Sequence, residues 1–416
     1  MRKSVKFSII DGTIAAPASK SVVQRIIAAA LLADGASHFG NVTLCNDSQA
    51  AIAIARALGA EIELSGRNLT VKGGFKPRKK VLDCGESGLC SRLFAAVAAL
   101  SSRELILSGQ PALCKRPADM IPEPLIRLGA SCIADDGHLP LKISGPLKGG
   151  RVNIDGSVSS QFLTGLLMAL PVIAADSEIN VANLKSKPYI DLTLEILSRF
   201  GIRIEHHDYR RFFVPGGQKY QPIDFDVEGD YSGAAFLLVA GALRGRIAVT
   251  GLNPESHQAD RAILELIKQV GAQIEIDADV IRVAHSSLQA FTCDATHFPD
   301  LFPPLVALAA GCKGISRIDG VGRLLYKESN RAVVLKTEFK KLGIDIRLEG
   351  DTMLIKGDKI QGGLTQAHND HRIAMALAIA GLSADQPVTI DGVECVAKSY
   401  PAFFDDLKSV GGNIDE

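Results

Sequence analysis

At 416 residues the chain exceeds what a single hydrophobic core organises, so two domains are expected, and a hydrophobic fraction of 47% excludes general disorder. Lys+Arg and Asp+Glu balance at 46 each and tryptophan is absent, which excludes a global field for nucleic acid or an anionic membrane and leaves anion binding to local clusters. The eight cysteines include no C-x-x-C pair, so they form neither a zinc signature nor a disulfide framework and suit a reducing compartment.

The opening, MRKSVKFSIIDGTIAAP, lacks the apolar stretch of a signal peptide, and no later run reaches the ~18 apolar residues of a membrane helix. A cytoplasmic protein is expected. Within that opening, VKFSII at 5–10 alternates and predicts a strand. From Ser19, SKSVVQRIIAAALLADG predicts the first of six Ala- and Leu-rich helices. The others are SGLCSRLFAAVAAL from Ser87, SSQFLTGLLMALPVIA from Ser159, SGAAFLLVAGAL from Ser232, DLFPPLVALAAG from Asp300 and DHRIAMALAIAGL from Asp370. Each is apolar nearly all round and should be buried. Their polar residues gather at the N-termini, where unpaired N–H groups and the helix dipole favour anions.

In phase with these helices a second unit recurs six times: ARALGAEIEL, LIRLGASCIA, LSRFGIRIEH, IKQVGAQIEI, KKLGIDIRLE and LKSVGGNIDE. Its glycines, Gly59, Gly129, Gly201, Gly271, Gly343 and Gly411, are 68 to 72 residues apart and read as left-handed helix stops leading into strands. Each repeat should therefore supply one buried helix, one amphipathic helix and several strands, with three repeats to a domain. The sixth copy reaches Glu416 before its strand pair is complete, and 5–10 is expected to supply the missing strand. The domains expected are 15–228 and a discontinuous one of 1–14 plus 229–416, with hinges near 11–15 and 222–229. A one-dimensional solenoid fits the long period and all-apolar helices less well.

Cations concentrate at the mouths of the buried helices. Lys20 and Arg25 flank the first, Arg92 lies near the start of the second, and Arg372 opens the sixth; Ser159, Ser160 and Gln161 open the third. Outside them stand Arg116 in KRP, Lys327 and Arg331 in KESNR, and Lys398 in AKSYP. Any one of these alone is more often a solvated surface charge. Their recurrence reads as a cleft for a substrate with several negative groups. Asp300 and Glu328 stand among them, either as ion-pair partners or as an acid–base pair.

The string PASKSVVQR, followed by GSVSSQFLTGLL, SKPYIDLTL, KESNR, NDHRIAM and AKSYP, resembles the EPSP synthases of the enolpyruvyl transferase family over essentially the whole chain. The resemblance implies an α/β fold of two domains, each of three βαβαββ repeats with buried helices, an inside-out α/β barrel. It implies transfer of the enolpyruvyl group of phosphoenolpyruvate to the 5-hydroxyl of shikimate 3-phosphate, a step of aromatic amino-acid biosynthesis. Lys20, Arg116, Gln161 and the N–H of Gly88 would hold the phosphate of phosphoenolpyruvate, and Arg331, Arg372 and Lys398 its carboxylate. Ser21, Arg25, Ser159, Ser160 and Ser186, with Lys20 and Gln161, would hold shikimate 3-phosphate, while Asp300 and Lys327 would meet its ring hydroxyls. Asp300 would be the base for the attacking hydroxyl, and Glu328, with Lys20, would deliver a proton to the methylene carbon. Asp47 either orients Lys20 or caps a helix. No metal or organic cofactor is implied, and the partners are the two small substrates, with no nucleic acid, no membrane and a monomeric state.

Ala18, Glu86, Leu89, Arg323 and Asn330 depart from the family pattern, in which Gly, Asn, Thr, Asn and Asp are usual. Two alternatives remain. The sister enzyme acting on UDP-N-acetylglucosamine carries a cysteine five positions before its Arg-Pro, but here that position is Pro111, and Cys114 lies only two residues before Arg116. A non-catalytic relative that binds phosphoshikimate is the other.

Overall fold

A computed structural model describes all of residues 1–416. The repeat is written first in the backbone: Gly59, Gly129, Gly201, Gly271, Gly343 and Gly411 all hold positive φ, between 80° and 124°, where a Cβ is disfavoured. Each follows an amphipathic helix, namely Asn46–Ala57, Pro122–Arg127, Pro188–Arg199, Ile263–Gln269, Arg331–Lys341 and Phe403–Ser409.

Six central helices are Lys20–Leu32, Gly88–Ala98, Gln161–Ala169, Tyr231–Arg244, Phe302–Ala310 and His371–Gly381, and one further short helix spans Pro111–Cys114. Every residue of Gly88–Ala98, Phe302–Ala310 and His371–Gly381 is buried, as their composition, apolar apart from Ser91, Arg92, His371 and Arg372, leads one to expect. Three of the polar openings act as N-caps: Ser87 Oγ accepts from Cys90 N at 3.2 Å, Asp230 Oδ1 from Gly233 N at 2.9 Å and Asp370 Oδ1 from Arg372 N at 3.0 Å. Small residues let the central helices touch. A Cβ at Gly165 would lie 2.7 Å from the Leu93 carbonyl oxygen and 2.8 Å from that of Arg92.

The strands form six separate four-stranded sheets, each with one parallel pair and two antiparallel pairings, and in five of them the outer antiparallel pair is a hairpin. No sheet closes on itself; the apolar helices are buried and the alternating, half-exposed strands lie outside them. No helix is long and apolar enough to cross a membrane.

The chain divides into two compact units, Lys20–Val227 and Met1–Ser19 with Glu228–Glu416. Each holds three of the sheets, and each is sewn together by a strand from a distant part of the chain. In Lys20–Val227, Asp224–Asp226 pairs in parallel with Ala36–Gly40. In the discontinuous unit, Ile10–Ala15 pairs in parallel with Gly245–Thr250, and Arg2–Lys6 lies between Val388–Asp391 and Asn413–Asp415, antiparallel to both. The N-terminal strand does complete the sixth repeat, but not over 5–10. Val5 and Ile10, both fully buried, belong to different sheets, while Phe7 and Ile9 on the connection between them are exposed. Ile10–Ala15 stays wholly within this unit, and the chain leaves it after Ser19.

Candidate active site

In the unit Lys20–Val227 the first central helix presents Lys20, Ser21 and Arg25. Arg25 is 1% exposed, yet no carboxylate is among its partners. Its Nε donates to Thr193 Oγ1 at 2.9 Å, Nη1 to the Ser21 carbonyl at 2.8 Å and Nη2 to the Tyr189 carbonyl at 3.3 Å. Thr193 Oγ1 is in turn 3.1 Å from Thr164 Oγ1, so two motifs distant in sequence hold the guanidinium of a third. Burial lowers the Arg25 pKa to about 10, with Tyr189 opposing. A buried cation compensated only by neutral oxygens is suited to receive an anion.

Lys20 Nζ lies 3.0 Å from Asp47 Oδ2. Asp47 is not a cap, because Cys45 occupies the N-cap position of Asn46–Ala57. Beside the Gly88–Ala98 helix, Arg92 Nη1 donates to the Gly88 carbonyl at 3.2 Å and to Gln161 Oε1 at 3.3 Å, while Nη2 donates to the Pro117 carbonyl at 3.0 Å. A Cβ at Gly88 would come within 2.9 Å of Arg116 Nη1 and 3.0 Å of Arg92 Nη1. Gly88, Arg92, Arg116 and Gln161 thus converge on one helix N-terminus, the arrangement that binds phosphate. Ser159 Oγ accepts from Gln161 N at 3.1 Å, Ser160 is buried ahead of the same helix, and Ser186 holds φ +55° just before Pro188–Arg199.

In the discontinuous unit a second cluster forms around Arg331, which is fully buried. Its Nη1 donates to Asp300 Oδ1 at 2.7 Å and its Nε to Asp370 Oδ2 at 2.8 Å; Nη2 reaches Asp370 Oδ1 at 3.2 Å and also Glu328 Oε2. Four of the five N–H donors that a guanidinium carries are therefore engaged. Asp300 also meets Lys327 Nζ at 3.0 Å and Arg372 Nη2 at 3.6 Å. Lys398 Nζ donates to the Asn369 carbonyl at 2.5 Å. Burial would raise the Asp300 carboxyl, but Arg372, Lys327 and Arg331 outweigh it and hold the group well below the usual carboxylate range. Burial lowers the Lys327 pKa against the pull of Asp300.

Three residues to which the sequence attached no role belong to these clusters. Arg92 was visible as a cation at a helix mouth. Asp370 was visible as the polar opening of the sixth helix and within NDHRIAM. Asp260 carried no signal. It is buried, accepts a hydrogen bond from Ser232 Oγ through Oδ2, and leaves Oδ1 without a hydrogen-bond partner. Burial, then the charge of Asp300, push its carboxyl up to about 6 against Arg372 and the Ser232 hydrogen bond.

Residues 6–407 match the family model described as EPSP synthase (3-phosphoshikimate 1-carboxyvinyltransferase). The chain belongs to the EPSP synthase family. It is 37% identical to the 3-phosphoshikimate 1-carboxyvinyltransferase of Clostridium kluyveri, covering 99% of this chain and 98% of the relative. To the protein of the same name from Aeropyrum pernix it is 38% identical, over 98% of this chain and 95% of the relative. The solved EPSP synthase of Acinetobacter baumannii superposes with a TM-score of 0.85 at 27% identity over 100% of both chains. The two-domain α/β enolpyruvyl transferase fold is therefore this chain's fold. Two departures from the family pattern have local explanations. Leu89 is buried within its helix, and Asn330 caps Arg331–Lys341 by accepting from Val333 N at 3.4 Å, which its amide oxygen does as an aspartate would. Arg323 is half-buried, and burial lowers its pKa against the attraction of Asp300, so a further cation bears on that carboxylate.

Proposed function

We propose that this chain transfers the enolpyruvyl group of phosphoenolpyruvate to the 5-hydroxyl of shikimate 3-phosphate, releasing phosphate and 5-enolpyruvylshikimate 3-phosphate. The observation that carries the reading is the sharing of one buried guanidinium, Arg331, by the two candidate proton-transfer groups, Asp300 and Glu328. In this reading Arg25, Ser21, Ser159, Ser160 and Ser186, with Lys20 and Gln161, hold shikimate 3-phosphate. Gly88, Arg116, Gln161 and Lys20 hold the phosphate of phosphoenolpyruvate, with Arg92 fixing Gly88 and Gln161. Arg331, Arg372 and Lys398 take its carboxylate, and Lys327 with Asp300 meets the ring hydroxyls.

A carboxylate arriving on Arg331 and Arg372 competes with Asp300 and Glu328 for the same donors. Losing that compensation raises their affinity for protons. Asp300 then accepts the proton of the 5-hydroxyl as its oxygen bonds to C2 of phosphoenolpyruvate. Glu328, with Lys20, gives a proton to C3. The tetrahedral adduct returns a proton from its methyl group as the C2–O bond to phosphate breaks. Positioned cations stabilise the charge at each stage. The enzyme is proposed to act as a cytoplasmic monomer on these two small molecules, with no metal or organic cofactor and no nucleic-acid or membrane partner.

Phosphate release from the two substrates together tests the reading. Release that requires both shikimate 3-phosphate and phosphoenolpyruvate is expected. Release only with UDP-N-acetylglucosamine as acceptor would assign the sister reaction, and binding of shikimate 3-phosphate without any release would assign a binding protein.

A further inference from the structure

The turn that leads into the His371–Gly381 helix is held in an unfavourable conformation. His368 and Asn369 adopt φ of 52° and 54°, the left-handed region that side chains other than glycine enter at a cost. Several contacts of the carboxylate-binding cluster depend on this turn. The Asn369 carbonyl accepts from Lys398 Nζ at 2.5 Å, and Asp370 binds Arg331 Nε at 2.8 Å while capping the N–H of Arg372 at 3.0 Å. Two consecutive residues thus set three of the cations assigned above to the phosphoenolpyruvate carboxylate.

Glu338 grips this turn from outside. It lies two turns along the Arg331–Lys341 helix from Arg331, on the same inward face, and is only 1% exposed. Its carboxylate accepts from Gln366 N at 2.9 Å, His368 Nε2 at 2.8 Å and Lys341 Nζ at 2.7 Å. Core packing alone would favour an apolar residue in such a place. Burial opposes ionisation, but Lys341, His368 and the Gln366 amide outweigh it and lower the Glu338 pKa, so the grip is that of a charged carboxylate.

We infer that Glu338 is a positioning residue for the phosphoenolpyruvate carboxylate: by holding Gln366 and His368 it keeps the left-handed turn that places Asn369 and Asp370, and through them Lys398, Arg331 and Arg372. The inference rests on the function proposed above and adds to it a residue that meets no substrate.

Three variants test it by steady-state kinetics, once the wild-type protein has been shown to release phosphate from both substrates. Glu338→Gln is expected to raise KM for phosphoenolpyruvate by about tenfold, the cost of weakening charged hydrogen bonds, with KM for shikimate 3-phosphate within about twofold of wild type. His368→Ala removes the imidazole but keeps a Cβ in the strained turn, and should raise KM for phosphoenolpyruvate several-fold. His368→Gly also loses the imidazole, yet glycine adopts the turn freely, so its KM should stay near wild type. Equal shifts in both KM values, no shift, or identical behaviour of the alanine and glycine variants would overturn the inference. Hydrogen exchange at the Gln366 amide, measured without substrate, gives a readout independent of the reaction. Faster exchange in Glu338→Gln is expected, and unchanged protection would sink the clamp whatever the protein catalyses.

Discussion

Arg25 and Arg331 are both buried guanidiniums, and their surroundings assign them different tasks. Arg25 meets only hydroxyl and carbonyl oxygens, so an arriving phosphate supplies the missing charge. Arg25→Met should weaken binding of shikimate 3-phosphate by on the order of a hundredfold or more, while thermal stability holds or rises because an uncompensated buried charge is removed. Calorimetric titration and a melting curve check the two halves separately. Arg331 already carries three carboxylates, and Asp300 is one of the two that a substrate carboxylate contests. Asp300→Asn keeps the shape and removes the base, so turnover should fall on the order of a hundredfold or more with shikimate 3-phosphate affinity much less changed. Turnover within a few-fold of wild type would remove Asp300 from the mechanism. Asp260 differs in sign from its neighbour. Its folded pKa is raised to about 6, above the roughly 3.9 of an unfolded aspartate, so stability falls as pH rises through that window and stays low above it. Asp260→Asn should therefore stabilise the fold, by on the order of 2 kcal/mol more at pH 8 than at pH 4, in urea unfolding. The depressed Asp300 does the reverse: its stabilisation is present above about pH 4 and is lost as pH falls below it. Motifs pointed to Arg25, Asp300 and Arg331. Nothing in the sequence pointed to Asp260 or Glu338, because their meaning lies in contacts with Ser232, Gln366 and His368, brought near only by the fold.

At the scale of elements, the central helices depend on close approach as much as on apolarity. Gly165 sits where a Cβ would press on the carbonyls of Arg92 and Leu93. Gly165→Ala gains helix propensity but overpacks this contact, and a net loss of about 1–3 kcal/mol is expected in denaturant unfolding. Because Arg92 holds Gly88 and Gln161, KM for phosphoenolpyruvate should rise in the same variant. The six glycine stops and six buried helices were legible because each is a local signal: a left-handed residue, or a run apolar on every face. The N-terminal strands were not. Alternation in VKFSII described neither strand, since burial there is decided by which distant strand pairs with which residue. Val5 opposes Val388 and Ile414, and Ile10 opposes Gly245.

At the scale of the whole molecule, the discontinuous unit depends on the first residues of the chain. Arg2–Lys6 is an interior strand, so deleting residues 1–6 would strip Val388–Asp391 and Asn413–Asp415 of their shared partner and uncover the buried face around Val5. Such a deletion should remove cooperative unfolding of this unit while the contiguous unit Lys20–Val227 still melts; a single transition like that of the intact protein would contradict this. The repeat count foretold that a strand was missing, but not that Asp224–Asp226 and Ile10–Ala15 also pair at a distance, because such pairing leaves no local signal. This stitching has a consequence during synthesis. Lys20–Val227 holds all its own strands and can fold once it has left the ribosome. Arg2–Lys6 is translated well before its two partners, a wait of roughly 20–80 s for the about 400 residues between them at cellular rates. Throughout that interval the nascent chain carries an unmatched strand edge. Arg2, Lys3 and Lys6, the charges around Val5, are of the kind that keeps such an edge from joining a neighbouring chain before its own partners arrive.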